Sequence, residues 1–129
     1  MAGQLTIDTL RAGSGVFATQ NGMTGIAKAW GNFNGSSGSV NSSFNVSSVT
    51  RNATGDYTIN MTTAMPNTDY SVVGSCQTNN SASVQIAVPW WSTASNTLIS
   101  PTTTAFRLSS SQSSGAGADS IRIFFAVFA

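Results

Sequence analysis

From Asp56 to Met61 the chain reads DYTINM, with Tyr57, Ile59 and Met61 separated by single polar residues. A spacing of two puts all three on one side of an extended strand, and no helix would align them. Similar short alternating runs recur along the chain, each ended by a cluster of Gly, Asn, Asp, Ser or Pro, and no run repeats its apolar residues at helical intervals. The pattern predicts an all-β domain, a compact antiparallel β-sandwich, jelly-roll-like, of about seven to eight strands. At 129 residues there is room for one such core and not for two.

The runs place the strands. LTIDTL (Leu5 to Leu10) reads as a short first strand, followed by a Gly-, Ser- and Asn-rich stretch from Arg11 to Gly25. Residues 1–25 are therefore expected to form an N-terminal attachment arm, with Leu5, Ile7 and Leu10 as its apolar contacts, and residues 26–129 the sandwich. Ile26–Asn34 reads as a strand, and so does Ser43–Thr50, with Phe44 and Val46 on one face. Arg51–Asp56 is a turn cluster that makes a hairpin with DYTINMT. Asp69–Gln77 follows, with Tyr70, Val72, Gly74 and Cys76 sharing a face, then a strand with Val84, Ile86 and Val88 in register, then one carrying Phe106 and Leu108. The last strand is apolar on both faces from Phe124 onward, which predicts burial on both sides, under neighbouring elements or at a subunit contact. Phe124, Phe125 and Phe128 are the candidate interface residues. The expected core is Trp30, Phe33, Phe44, Val46, Tyr57, Ile59, Tyr70, Val72, Val84, Ile86, Phe106, Leu108, Ile121 and Ile123.

Charge is scarce: 7% of residues are Asp, Lys or Arg, there is no His and no Glu, and the net charge is +1. An ordinary soluble domain carries roughly a quarter charged residues. Acid-base chemistry is left with Asp8, Asp56, Asp69, Asp119 and Lys28, and nucleophilic catalysis has no histidine base. No Ser-x-x-Lys spacing includes Lys28. Asp56 and Asp69 flank one strand-loop segment, but an aspartate after Gly55 in a turn is better explained by local backbone hydrogen bonds. No catalytic residue, cofactor or metal site is expected. The near-neutral balance gives no footprint for nucleic acid, and no apolar run is long enough to span a membrane. The first residues lack a signal-peptide core, which predicts synthesis in the cytoplasm. The lone Cys76 excludes an internal disulfide and reads as a small buried hydrophobe.

In place of charge the chain carries 21 Ser, 16 Thr and 11 Asn, with seven Phe and three Trp that argue for a folded chain. Trp90 and Trp91 are adjacent, so a strand would turn them to opposite faces and leave one exposed, free to stack on a sugar or to anchor a protein contact. With the turn and loop residues Asn79, Asn80, Ser92 and Ser113 they form the expected receptor-contact set. Few charges and a doubly apolar last strand both suit packing into a homo-oligomer.

Four segments also carry a resemblance: AKAWGNFNG (27–35), SFNVSSVTRNATGDYTINMTTAMPNTDYSVVGS (43–75), the ending IFFAVFA (123–129) and the opening QLTIDTLRAGSG (4–15). Together they resemble the small Gly/Ser/Thr-rich β domain at the C-termini of tailed-bacteriophage tail fibres and related virion proteins. The variable part lies roughly between Gln77 and Ala118. The resemblance implies a non-enzymatic protein on the virion exterior, most often trimeric, whose distal loops contact a host surface glycan or protein. The long shaft of an ordinary fibre has no counterpart in these 129 residues. The arm could thus bind another fibre chain, the tail, or the capsid surface, and the last option would make this a capsid decoration, head-fibre or knob protein.

Overall fold

The computed structural model describes residues 9–12, 15–18, 26–78, 85–112 and 114–129, with side chains from Ile26 onward other than those of Gln85 and Ile86. Among these residues there are twelve strands and no helix. β1 (Thr9–Ala12) and β2 (Gly15–Ala18) form an antiparallel ribbon that places Leu10 opposite Phe17. The sandwich follows. Its first sheet has the order β4 (Val40–Phe44), β3 (Ala29–Phe33), β12 (Arg122–Phe128), β7 (Ser71–Gln77). Its second has the order β5 (Val46–Ala53), β6 (Asp56–Met61), β11 (Ala105–Gln112), β8 (Gln85–Pro89). All pairings are antiparallel, and a small ribbon of β9 (Trp91–Ser92) and β10 (Thr97–Leu98) completes the set. Eight strands in the two large sheets agree with the strand number expected from sequence.

The core lies between the sheets. Ala29, Phe33, Ile123, Phe125 and Val127 come from the first, Tyr57, Ile59, Met61, Phe106 and Leu108 from the second, and Met65 and Tyr70 from the segment joining them. The Phe33 ring meets Tyr57 edge-on at 5.1 Å and Phe125 meets Phe106 at 5.4 Å, the geometry in which a positive ring edge faces a negative ring face. Strand β3 contributes small residues beside Phe33 for a steric reason: a Cβ on Gly31 would sit 2.7 Å from the Phe125 ring. The phenol of Tyr70 donates to the carbonyls of Thr102 and Ala105 and so fixes the turn before β11, while burial pushes its pKa up to about 12.

Several expectations change. Trp30, Phe44 and Ile121 are not core residues but 40%, 55% and 41% exposed. Trp30 lies three positions from the inward Phe33, which in a strand is the opposite face. Ile121 precedes β12, where the chain bends. Ser43–Thr50 is not one strand: Asn45 adopts a left-handed φ of 57° and carries the chain from the first sheet to the second. Its side chain holds the corner, donating to the carbonyls of Lys28 and Thr63 and accepting from the Thr63 amide at 2.7 Å. Phe44 and Val46 therefore part company, Val46 packing against the core with Val72 and Cys76, and Phe44 facing out. In β8 the residue packed against the core is Ala87, which turns Val88 to the other face. Val84 and the Ile86 side chain lie outside the described residues, as do Leu5 and Ile7 of the expected arm. Of the expected first strand, the described residues Thr9 and Leu10 lie in β1, and β2 falls within the Gly-, Ser- and Asn-rich stretch from Arg11 to Gly25.

Candidate functional site

The outer face of the first sheet is built by the half of each strand that the core does not use. In β12 the core takes Ile123, Phe125 and Val127, so alternation turns Arg122, Phe124, Ala126 and Phe128 outward. The register then aligns a row across all four strands. Phe44 of β4 is opposite Trp30 of β3, Trp30 is opposite Ala126 of β12, and Ala126 is opposite Val73 of β7. Trp30, Phe44 and Val73 (56% exposed) remain open to solvent, and Phe124 and Phe128 extend the patch along β12 at 36% and 37%. The exposed side chains amount to roughly 400 Å² of apolar surface, on the scale of patches that mark contact sites. In these four strands the only charged residue is Arg122.

Two depressions border the row. Beside Phe44 lies an open groove of about 720 Å³, lined among others by Ile26, Lys28, Asn45, Met65 and Pro66. At the other side, between β7 and β12, a shallower hollow of about 390 Å³ is walled by Val73, Ser75 and Phe124. An aromatic row flanked by depressions can exclude water from a partner surface.

The outer face of the second sheet is of the opposite kind. Asp56, Thr58, Arg107 and Ser109 stand there, and the segment from Trp91 to Leu98 covers part of them. Asp56 and Ser109 are fully buried and Ser92 is 1% exposed. Arg107 Nε lies 2.5 Å from Asp56 Oδ1 and Nη2 3.1 Å from Oδ2. Ser92 Oγ and the Ala94 amide also donate to Oδ2, at 2.6 and 3.3 Å. The Ser109 hydroxyl donates to the carbonyl of Trp91. Burial pushes the Asp56 carboxyl up, but the donors from Arg107, Ser92 and Ala94 outweigh it and hold its pKa below the usual carboxylate value. Asp119 is built the same way at the tip of the β5–β6 hairpin, receiving Arg51 at 2.5 Å, the Tyr57 phenol at 2.8 Å and the Gly55 amide at 3.0 Å. Its pKa too is lowered, because these donors outweigh burial, whereas Tyr57 is raised by burial and by the neighbouring carboxylate. These carboxylates are committed to arginines and backbone.

No protein-family model, curated protein or solved structure matches this chain. Among the described residues, no three His, Cys, Asp or Glu side chains lie close enough to hold a metal ion.

The expected receptor-contact set is dispersed. Asn79, Asn80 and Ser113 lie outside the described residues. Ser92 is a correction: its hydroxyl is the buried donor to Asp56, so it has no surface to offer a receptor. Neither tryptophan of the pair is freely exposed. Trp90 has a left-handed φ of 63°, which ends β8, and its indole packs against the core, while Trp91 is half-buried in β9. Trp90 is held in place by its own backbone, donating to the Arg107 carbonyl and accepting from the Ile99 amide. Of the three candidate interface phenylalanines, Phe124 and Phe128 do face outward, but Phe125 is corrected to the core, 5% exposed against Phe106 and Phe33. Asp56 is likewise not held by local backbone hydrogen bonds; apart from Asn52 Nδ2 at 3.4 Å, its carboxylate is the centre of a buried ion pair with a residue fifty-one positions away. The residues missed were Trp30, Phe44 and Val73. Parity would have found Trp30, since Trp30 and Phe33 cannot share a face of one strand.

Proposed function

We propose that this chain is a non-enzymatic structural protein of the exterior of a tailed-bacteriophage particle, a small tail-fibre or receptor-binding subunit that works as a homo-oligomer, in the trimeric form the resemblance implies. The observation that carries the reading is the uncharged aromatic row across the first sheet. A subunit that exposes Trp30, Phe44 and Val73 on one sheet face is suited to an assembly in which that face is covered. The antiparallel sandwich fits the same reading, and so do the family-like segments, which include the strands that build the row. Many weak contacts presented by several copies would add up to firm attachment without any single strong site.

The test is to quantify the chain in purified particles by mass spectrometry and to ask whether the purified protein competes with those particles for host cells. A few oligomers per particle together with blocked adsorption is the expected result. Absence from washed particles would sink the virion reading, and a high copy number without competition would transfer the chain to the capsid surface as a decoration protein.

A further inference from the structure

We infer that the occupant of the aromatic row is the same face of a neighbouring copy, with the Trp30 and Phe44 half of one subunit seated on the Val73 and Phe124 half of the next. This deepens the proposed assembly and rests on it only for the expectation that copies meet.

Three properties of the face select a second copy over an unrelated partner. The first is charge. A contact of like with like brings every charged residue near its own kind, which is costly, and the face carries only Arg122, at one end of β12, and Lys28, just before β3 at the opposite end of the paired strands. The chain's net charge of +1 adds almost no repulsion at longer range. A partner recognised by charge would find two cations at the ends of the face and none in its middle.

The second is shape. The row is uneven: Trp30 and Phe44 are 40% and 55% exposed on β3 and β4, whereas Phe124 and Phe128 on β12 are lower at 36% and 37%, and Phe124 walls the hollow of about 390 Å³ between β12 and β7, the larger groove lying beyond Phe44 at the sheet edge. When one copy's aromatic half meets the next copy's hollow half, a projecting group faces a recess. A two-fold axis parallel to the strands makes that match reciprocally, and a three-fold axis makes it head to tail around a ring.

The third is size. The exposed apolar side chains supply roughly half of the ~800 Å² that each partner buries in an interface of standard size. Asn32, Ser42, Ser71 and Ser75, on the same side of their strands, supply uncharged polar surface around them, as interface rims do.

The experiment is sedimentation equilibrium on the purified full chain and on variants from both halves of the face. Wild type is expected to form a discrete oligomer of two or three copies, and Trp30→Lys and Val73→Lys are each expected to raise the dissociation constant at least about 30-fold, the effect of losing a hot-spot side chain. Should either lysine variant fail to fold, Trp30→Thr keeps a strand-favouring residue and is expected to weaken association in the same direction. Leu98→Lys, at the most exposed large apolar residue on the other side of the sandwich, is expected to leave the constant within about twofold. A wild-type monomer at high concentration overturns the inference, as does an oligomer that Leu98→Lys breaks and the face variants do not. A monomer whose tryptophan fluorescence responds to host polysaccharide, with the response lost in Trp30→Thr, also overturns it and makes the face a glycan platform. A dimer broken by the face variants upholds the interface while counting against the trimer, and absence of the chain from particles would leave this result standing.

Discussion

Ser109 and Phe124 occupy equivalent stations, each on the outward side of a strand second from one edge of its sheet. Ser109 is completely buried and Phe124 is more than one-third exposed. The inversion runs through both faces. The second sheet turns out Asp56, Thr58 and Arg107 and then folds a segment over them, while the first turns out Phe44, Trp30, Val73 and Phe124 and leaves them open. Burying a polar face within one chain works only if each group finds a partner, which is why Asp56 gathers Arg107, Ser92 and Ala94. An apolar face needs no such matching and can be completed from outside. The polar face thus belongs to the fold, and the apolar face is free for assembly.

If the polar side is structural, damage there must cost stability in an isolated subunit. The largest loss is expected at Gly55, in the turn between β5 and β6. Its φ is +68°, its carbonyl accepts from the Ser110 amide, and a methyl group would collide with the Ser110 carbonyl and the Ala118 amide. Gly55→Ala should destabilise the fold by about 4 kcal/mol, the sum of left-handed strain and a backbone displacement, read as a drop in the urea midpoint. A variant as stable as wild type would show that this hairpin tip is not fixed to β11.

Next in size is the buried ion pair. Asp56→Asn removes the charge that compensates Arg107 and should cost about 3 kcal/mol. It should also change the response to pH. The pKa values of Asp56 and Asp119 are held below their ordinary value in the fold, so their stabilisation is complete above the unfolded value near ~4 and is lost as pH falls through the folded values. Wild-type melting temperature should therefore be flat between pH 5 and 8, to within the roughly 2 °C that other groups contribute, and fall on acidification. The Asp56→Asn variant starts lower and should fall less steeply, having one such carboxylate fewer. Parallel acid limbs for the two proteins would remove Asp56 from the account.

Alternation was enough to place the inner face, because a period of two is a local property: Tyr57, Ile59, Phe106, Leu108 and Ile123 are all buried. It was not enough where the chain breaks its own period. Asn45 and Trp90 take left-handed φ, and neither residue type demands that conformation, so alternation alone puts Phe44 and Val46 on one face and Trp90 and Trp91 in one strand. The polar cluster was illegible for a different reason. Arg51 meets Asp119 across sixty-eight residues, and Ser92 is buried as the donor to Asp56, thirty-six residues before it. A serine in a polar stretch looks the same in sequence whether it is wet or dry. The exposed apolar face was partly legible, through the doubly apolar β12, and was blurred because a large side chain is more often buried than exposed.

The smallest expected effect gives the sharpest contrast between the two faces. In subunits diluted until they are monomeric, Phe124→Ser and Trp30→Thr should lower unfolding free energy by only about 1–2 kcal/mol, because the side chains removed are more than one-third exposed and lie on an open face. At concentrations where wild type assembles, its melting temperature should climb with concentration, since association stabilises only the folded subunit. The two variants should lose that slope while their dilute values stay within a few degrees of wild type. A concentration dependence that survives both substitutions would move the contact to another surface, whereas a loss of several kcal/mol in the monomer would mean that Trp30 and Phe124 support the fold as Asp56 does, erasing the difference between the two sheets.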